Sequence, residues 1–380
     1  MDPAKPSLDL LRSLSDEHVL RALMRRRRLT RAELAVETGL SKPTAGESVR
    51  RLTEAGLVAD TGERTPGGRG RGRVGSYYAL AKDIGTALAV SIAPEGIVAE
   101  RIDAYGDTIE RAAAKIGRPA EPEQVTAALR AAAARVEQDA RLAVVSAADP
   151  VDRATGRMIH LPDAPFLVGE LDPVRILAPY VAGPVTVDND VNWAAQAERD
   201  YLGTGPADFA YLFLGEGLGC AIISDGQVRR GHNGLAGEVA HLVTPGPDGR
   251  AAPFIEVFGP LGLRQPGSTA IDGERLIAAV TGPEPTASAT RHALGQAIGG
   301  VLAAIAALTD PQAVIIGGPW GSHPVVLGTI VTAAERLPRP VPVRGAELTG
   351  NPSLAGARTD ALTRLRAGII HASVPPPGNP

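Results

Sequence analysis

The chain has 380 residues, of which 44% are hydrophobic, and its formal net charge is −3. A chain of this length and composition can bury two or three domain cores. The N-terminus lacks a basic stretch followed by an apolar one, and the longest apolar run, Ala297 to Leu308, is too short to span a bilayer. We therefore expect a globular, cytoplasmic protein with no membrane partner. The single cysteine, Cys220, excludes an intramolecular disulfide and any zinc site built from several cysteines.

The charge is unevenly distributed along the chain. Residues 1–80 carry 15 Lys and Arg against 10 Asp and Glu, whereas residues 81–380 carry 24 against 32. A basic end attached to an acidic remainder predicts an anionic polymer as the partner of that end alone.

Three short helices are predicted in the basic end. Residues 16–27 have the pattern of an amphipathic helix with an acidic first turn. Thr30 can cap a second helix over Arg31–Thr38, with Glu33 as its capping-box partner, and Gly39 supplies the following turn. Ser41 can cap a third helix that Gly56 ends.

In a tri-helical unit of this kind the third helix enters the major groove of DNA. Its buried stripe leaves polar side chains facing outward, and Thr44 and Glu47 are suited to base edges while Arg50 and Arg51 are suited to phosphates. The residues of this helix that we predict to contact DNA are Ser41, Lys42, Thr44, Glu47, Arg50 and Arg51.

An arginine-glycine segment follows the third helix. Leu57–Ala59 and Tyr77–Leu80 read as two short strands around this segment, which gives a winged helix. Arg69, Arg71 and Arg73 would then reach into a narrow minor groove. The alternatives are a dimerisation bundle for the helices and an untargeted linker for the arginine-glycine segment. The adjacency of the two features favours double-stranded operator DNA as a partner.

Beyond residue 80, apolar strand-like runs alternate with alanine-rich helical runs, as in α/β proteins. The predicted strands are Thr86–Ile92, Ile97–Ala104, Leu142–Ser146, Val185–Val187, Ala210–Leu214 and Ala313–Ile316, and the predicted helices are Glu123–Arg135, Asn192–Tyr201 and Ser288–Leu308.

The whole chain resembles the ROK family of sugar-responsive repressors and sugar kinases. The resemblance is carried by Leu40-Ser-Lys-Pro-Thr44, Val187-Asp-Asn-Asp-Val-Asn-Trp-Ala-Ala195, Leu212-Phe-Leu-Gly-Glu-Gly-Leu-Gly219, Arg229-Arg-Gly-His-Asn-Gly-Leu-Ala-Gly-Glu-Val-Ala-His241 and Leu308-Thr-Asp-Pro-Gln-Ala-Val-Ile-Ile-Gly-Gly318. It implies an α/β fold, with a winged helix-turn-helix over residues 1–80 and a two-lobed, actin-like and ribonuclease-H-like ROK domain over residues 81–380. Kinases of the family normally lack the winged helix, so its presence points to the regulator branch.

Both phosphate-binding loops depart from the family pattern. Asp83–Thr86 resembles the first loop, but alignment with the neighbouring strands places Ser91–Glu95 there instead. That segment lacks the family's aspartate, glycines and threonine, and its Pro94 and Glu95 remove a donor and repel a polyphosphate. In the second loop Glu216 stands where a kinase has a hydroxyl. The resemblance therefore predicts a kinase-like domain with no catalytic residues and no cofactor.

The sugar-binding motifs are better kept. The resemblance implies that Asn189, Asp190, Glu238, His241 and Glu256 bind a polyhydroxylated ligand, because carboxylates and imidazole form charge-assisted bonds to hydroxyls. Taken singly, each could be a solvated loop acid or a capping histidine.

Three further departures affect the ligand and the metal. Asp149 replaces the glycine of the loop that closes on the sugar, and Pro162-Asp163 replaces a Pro-Asn pair, so the ligand need not be a common hexose. The cysteines of the family's zinc motif are missing after His241, and one histidine without thiolates predicts no metal site.

These features predict a transcriptional regulator, in particular a repressor, that senses a sugar or a related metabolite. Two half-sites multiply specificity, so we expect a homodimer or a dimer of dimers. The alternatives are an active ROK sugar kinase with an added helix-turn-helix and a regulator without a small-molecule effector. The sequence does not name the effector or the operator.

Overall fold

A computed structural model describes residues 8–65, 75–161, 165–167 and 169–373. The basic end forms a winged helix built from three helices and a three-stranded antiparallel sheet of order β1-β3-β2. Its elements are α1 (Leu8–Arg26), β1 (Arg28–Thr30), α2 (Arg31–Thr38), α3 (Lys42–Glu54), β2 (Val58–Arg64) and β3 (Ser76–Leu80).

Local capping signals fix the second and third helices. Thr30 and Glu33 form the predicted capping box, in which the Glu33 amide donates to Thr30 Oγ1 at 3.2 Å and the Thr30 amide donates to Glu33 Oε2 at 2.7 Å. Ser41 caps α3 by accepting from the Thr44 amide. Gly39 adopts a left-handed φ of 71°, which a glycine enters without the steric cost of a Cβ. The predicted bounds of α2 are confirmed.

Two parts of the winged helix were not predicted. Helix α1 begins at Leu8, eight residues before the predicted start at residue 16. Its added turns carry Leu10, Leu11 and Leu14, which are each about half exposed and so give little amphipathic signal. Strand β1 has only three residues and forms through its pairing with Tyr77–Ala79 of β3, which lies nearly 50 residues away in sequence.

The rest of the chain forms two lobes, each built around a five-stranded sheet. The first lobe contains β4 (Thr86–Ala93), β5 (Gly96–Ile102), β6 (Thr108–Ala114), α4 (Pro122–Val136), β7 (Ala140–Ala147), α5 (Pro173–Leu177), β8 (Val185–Asn189) and α6 (Asp190–Leu202). Its sheet has the order β6-β5-β4-β7-β8, with β4, β7 and β8 parallel and β5 antiparallel to its neighbours.

The second lobe repeats this topology. It contains β9 (Phe209–Leu214), β10 (Leu218–Ser224), β11 (Gln227–Val228), β12 (Val243–Pro245), β13 (Ala251–Pro253), α7 (Gly273–Thr281), α8 (Thr286–Thr309), β14 (Ala313–Gly317), α9 (Pro324–Glu335) and β15 (Val343–Gly345). The order β11-β10-β9-β14-β15 is again third, second, first, fourth, fifth strand in chain order. Two copies of this sheet make the predicted actin-like, ribonuclease-H-like architecture. The final helix, α10 (Pro352–Ala372), returns to the first lobe and packs on α6, β4 and β7.

One hydrophobic core spans the winged helix and the first lobe. Leu20 and Leu52 of the winged helix belong to the same buried cluster as Leu142 and Trp193 of the first lobe and Leu365 of α10. The predicted boundary at residue 80 therefore falls at the end of β3, within a continuous core rather than at an exposed linker.

Helix α8 is the one described helix whose length and composition would suffice to cross a membrane. Half of its most apolar 18-residue window is buried within the protein. Ile298, Val301 and Leu302 are fully covered in the core of the second lobe, which accounts for the apolar sequence of this helix.

Candidate DNA-binding surface and interlobe cavity

The N-terminal half of α3 presents short polar side chains to solvent. Ser41, Lys42, Thr44 and Glu47 are all exposed. The hydroxyls of Ser41 and Thr44 lie 2.7 Å apart and share a hydrogen bond, while the Ser41 hydroxyl also caps the helix. This end of the helix is therefore available to base edges, and its cap orients the Thr44 side chain.

Arg50 is held by two carboxylates on its own helix. It donates to both oxygens of Glu47, at 3.0 and 2.5 Å, and to Glu54 at 2.5 Å. The hydrogen bonds that Arg50 donates lower the pKa of Glu47, and their acceptance by Glu47 and Glu54 raises the pKa of Arg50. A phosphate contact by Arg50 would have to replace these bonds.

Arg51 was predicted to face outward and contact DNA, but its side chain is directed towards α1. Its guanidinium donates to both oxygens of Asp16 on α1, at 2.6 and 3.1 Å, and its side chain is only 23% exposed. Asp16 is 5% exposed, and a buried carboxylate requires a cation or several donors. Arg51 therefore fixes α3 against α1, and no local pattern signalled this role because Arg51 and Asp16 are 35 residues apart in sequence.

The three wing arginines, Arg69, Arg71 and Arg73, lie outside the described residues. The strands that flank them are described: β2 ends at Arg64 and pairs with β3, which begins at Ser76. The arginine-glycine segment thus connects two paired strands, as a wing does.

A cavity of about 1060 Å³ lies between the two lobes of the larger domain. Its lining includes four of the five residues predicted to bind a ligand, namely Asn189, Asp190, Glu238 and His241. Glu256 is not among the lining residues. Its carboxylate accepts from Arg264 at 3.1 Å and is about half exposed. Four of the side chains predicted from the sequence motifs thus line one cavity. The fifth, Glu256, lies beside the cavity next to the lining residue Ile255.

The junction of β8 and α6 positions two of these residues. Asn189 ends β8 and caps α6, because its Oδ1 accepts from the Val191 amide at 3.0 Å. Its side-chain amide donates to the Asp149 carbonyl at 3.3 Å, which ties it to the neighbouring loop. Asp190 is the first residue of α6, at the carboxyl end of a parallel strand where α/β proteins place their ligands.

Three carboxyl groups in this cavity have raised pKa values. Burial raises the pKa of Asp149 to about 8, with further contributions from the charges of Asp190 and Glu238. Burial also raises the pKa of Asp190 to about 7 and that of Glu238 to about 7. The pocket thus combines protonated and ionised carboxyls near neutral pH, which can donate to and accept from ligand hydroxyls.

These pKa values predict that the stability of the unliganded protein falls as the pH rises from about 4 to about 8. In this window the unfolded carboxyls release protons that the folded ones retain, so rising pH favours unfolding. Replacing Asp149 by Asn should therefore raise the free energy of unfolding at pH 8 by about 1–3 kcal/mol, the usual cost of an inadequately paired buried group. The gain should shrink towards pH 4. Thermal melts across this range measure it.

Asp152 provides the matched control for that variant. Hydrogen bonds from Thr155 lower its pKa, so Asp152→Asn should give no gain at pH 8. Equal pH profiles for wild type and Asp149→Asn would contradict the buried, raised Asp149.

The structure places Ser91–Glu95 at the end of β4 that lies at the cavity. Ser91 lies near the end of β4, and the Pro94-Glu95 turn connects β4 to β5. Ser91, Pro94 and Glu95 all line the cavity. Asp83–Thr86 lies at the opposite end of β4 and lines no part of the cavity. Ser91–Glu95 rather than Asp83–Thr86 thus lies at the cavity, and its equivalence to the family's phosphate loop stays a prediction.

Two ion pairs join the lobes across the cleft, and sequence reasoning missed both. Glu216, in the second phosphate loop, accepts from Arg118 of the first lobe. Arg230 of the second lobe donates to Asp188 of β8 at 2.7 Å. The partners are 98 and 42 residues apart in sequence, so no local pattern signalled them. The replaced Pro162-Asp163 pair lies outside the described residues.

Comparison with known proteins agrees with this architecture. Residues 89–253 match the ROK family, and residues 12–59 match a winged helix-turn-helix DNA-binding domain. Residues 89–253 therefore carry a ROK family domain, and a winged helix-turn-helix precedes it in the chain. The crystal structure of a ROK family transcriptional regulator, a homologue of the Escherichia coli MLC protein, superimposes with a TM-score of 0.64 over 96% of this chain and 99% of that one. Their sequence identity is 18%, so this likeness establishes the fold.

Curated relatives include both regulators and enzymes. The xylose repressor of Caldicellulosiruptor bescii is 26% identical over 61% of this chain and 59% of its own length. The glucokinase of Streptomyces coelicolor is 28% identical over 62% of this chain and 82% of its own. The bifunctional enzyme NanE/NanK of Brucella suis is 25% identical, and the match spans 42% of this chain and 34% of that protein's length.

Proposed function

We propose that this protein is a transcriptional repressor that binds operator DNA through its winged helix and a sugar or related metabolite in its interlobe cavity. The observation that carries the proposal is the composition of the cavity lining. The predicted sugar-contacting residues Asn189, Asp190, Glu238 and His241 line the same cavity as Glu95 and Glu216, which stand in the two loops aligned with the family's phosphate loops.

The chemistry of the lining supports ligand recognition without phosphoryl transfer. An asparagine, a histidine and carboxyls of mixed protonation offer donors and acceptors to several hydroxyls. Phosphoryl transfer instead requires positive charge or backbone donors around the phosphates. Glu95 adds negative charge there and Glu216 is held in an ion pair with Arg118, so the domain acts as a sensor rather than an enzyme.

The DNA side of the proposal rests on the exposed face of α3 and on the wing. Bases or nearby phosphates are contacted by Ser41, Lys42, Thr44 and Glu47. Arg50 contacts the DNA backbone once a phosphate replaces Glu47 and Glu54 as the acceptor of its hydrogen bonds. Residues 1–80 form the DNA-binding domain and residues 81–380 the effector and oligomerisation domain, which pairs as a homodimer or a dimer of dimers. Two winged helices can then occupy two half-sites.

Effector binding is tested by a thermal-shift screen of sugars, amino sugars and sugar phosphates. We expect one class to stabilise wild type, because a ligand that binds only the folded state adds RT ln(1 + [L]/Kd) to its stability. Glu238→Ala and His241→Ala should lose most of this shift. Glu274→Ala removes an exposed carboxylate from α7 and serves as the matched control that keeps it.

The same screen discriminates the alternatives. If no compound stabilises wild type, a regulator without a small-molecule effector replaces the proposed sensor. If Glu256→Ala abolishes the shift while Glu238→Ala does not, the ligand binds at the sequence-predicted residue that lies beside the cavity. A stabilising effector should also change operator affinity, typically about five- to 150-fold, and operator should change effector affinity equally.

A further inference from the structure

The turn between β5 and β6, residues 103–107, joins the winged helix to the first lobe. Its centre is Tyr105, whose hydroxyl accepts from the Leu80 amide at 3.1 Å and donates to the Arg27 carbonyl at 3.2 Å. Leu80 is the last residue of the wing strand β3, and Arg27 directly follows α1. One hydroxyl of the large domain therefore satisfies backbone groups at two separate ends of the winged helix.

The Arg27 side chain makes a second connection to the same turn. It donates to both carboxylate oxygens of Asp107, at 2.5 and 2.7 Å, and its guanidinium lies 5.3 Å from the centre of the Tyr105 ring. Arg27 has a left-handed φ of 69°, which is unfavourable for a residue with a Cβ. Asp103 holds the turn in shape, because its carboxylate accepts from the amides of Tyr105 and Asp107 at 2.9 Å.

Helix α10 binds the backbone of the same turn. Arg366 donates to the carbonyls of Ala104 and Tyr105 at 2.9 and 3.3 Å, and Arg358 donates to the Gly106 carbonyl at 2.5 Å. The turn is thus hydrogen-bonded both to the winged helix and to α10.

Helix α10 in turn packs tightly on α6, which begins at the cavity. A Cβ added at Gly356 of α10 would lie 2.1 Å from the Trp193 carbonyl of α6, so the two backbones are in direct contact. The indole Nε1 of Trp193 donates to the Val145 carbonyl in β7 of the first lobe. Asp190, one turn earlier on α6, lines the cavity. Packed elements therefore connect the cavity to the turn without a gap.

We propose that Tyr105 and Asp107 are positioning residues for DNA binding, which set the orientation of the winged helix on the first lobe and link it through α10 and α6 to the interlobe cavity. The link to the cavity rests on the proposed effector function, whereas the orientation of the winged helix does not. Neither residue contacts DNA or ligand in this scheme.

The orientation is tested by distance measurements between spin labels on the full chain. Labels at Val36→Cys on α2 and Arg130→Cys on α4 occupy exposed positions, and the native Cys220 is buried. We expect one narrow distance distribution in the labelled parent and a broadened one in Tyr105→Phe and Asp107→Asn. Arg28→Ala is the matched control, because Arg28 pairs with Glu63 and Tyr77 inside the winged helix and should leave the distribution narrow.

A charge exchange separates positioning from a loss of stability. Arg27→Asp and Asp107→Arg should each broaden the distribution, and the double variant should narrow it again, because the pair is restored with its charges reversed. Unchanged distributions in all single variants, or no recovery in the double variant, would overturn the proposal.

The link to the cavity is read from operator affinity with and without a stabilising compound from the thermal-shift screen. In Tyr105→Phe, the effect of that compound on operator affinity should fall from roughly five- to 150-fold to roughly onefold, with its own affinity for the cavity unchanged. If the effect persists undiminished, the turn does not transmit it. If wild type itself shows no effect, the proposed effector function fails, while the label distances still decide whether the turn orients the winged helix.

Discussion

Replacing Arg69, Arg71 and Arg73 together by alanine is expected to weaken operator binding by about 10- to 1000-fold at physiological salt. Each phosphate contact that is lost reduces the number of counterions released on binding. The magnitude of the slope of log affinity against log salt concentration then falls by about 0.9 per contact. Three lost contacts would therefore reduce the slope by up to about 2.7. Fluorescence anisotropy titrations of labelled operator at several salt concentrations measure both quantities.

The control for this variant removes three exposed arginines elsewhere. Arg130 and Arg135 on α4 and Arg336 at the end of α9 are exposed in the larger domain, and their triple replacement changes the net charge by the same amount. We expect a salt slope close to that of wild type for the control. A wild-type slope in the wing variant would mean that the arginine-glycine segment is a linker without a DNA contact.

The second expected result is that the wild-type protein shows no sugar-dependent ATP turnover. The aligned first phosphate turn carries Pro94 and Glu95, and Glu216 of the second loop is engaged by Arg118 across the cleft. Glu95 repels a nucleotide at the first loop, the Arg118–Glu216 ion pair occupies the second, and no residue of Ser91–Glu95 replaces the family's phosphate-loop aspartate. A coupled assay of ADP formation with a sugar panel should show the same rate with and without each sugar.

One result would restore the kinase interpretation. Sugar-dependent ADP formation by wild type that disappears in Asp190→Asn would assign Asp190 the role of general base. An activity that survives in Asp190→Asn would instead indicate a contaminating enzyme.

Features that depend on residues close together in sequence are the ones that the sequence predicted well. The capping box of Thr30 and Glu33 and the cap of Ser41 involve partners three residues apart, so their pattern is visible in a short window. The buried strands Thr86–Ala93, Phe209–Leu214 and Ala313–Gly317 are apolar runs and were predicted to within one residue at each end, whereas Thr108–Ala114 and Leu218–Ser224 were not predicted. The ROK motifs sit at strand ends, and they located four side chains of the cavity before any packing was known.

The sequence by itself therefore determined the winged helix, the two-lobed class of fold and four of the polar residues that line the cavity. Only the tertiary structure decided which charges are free to act. In the structure Arg51, predicted to contact phosphate, instead pairs with Asp16, and Arg118 pairs with Glu216 across the cleft. Glu256 pairs with Arg264 and lies beside the cavity rather than in its lining. The physical reason is that an ion pair depends on where two distant segments meet, and burial rather than residue type sets whether a carboxylate must be neutralised.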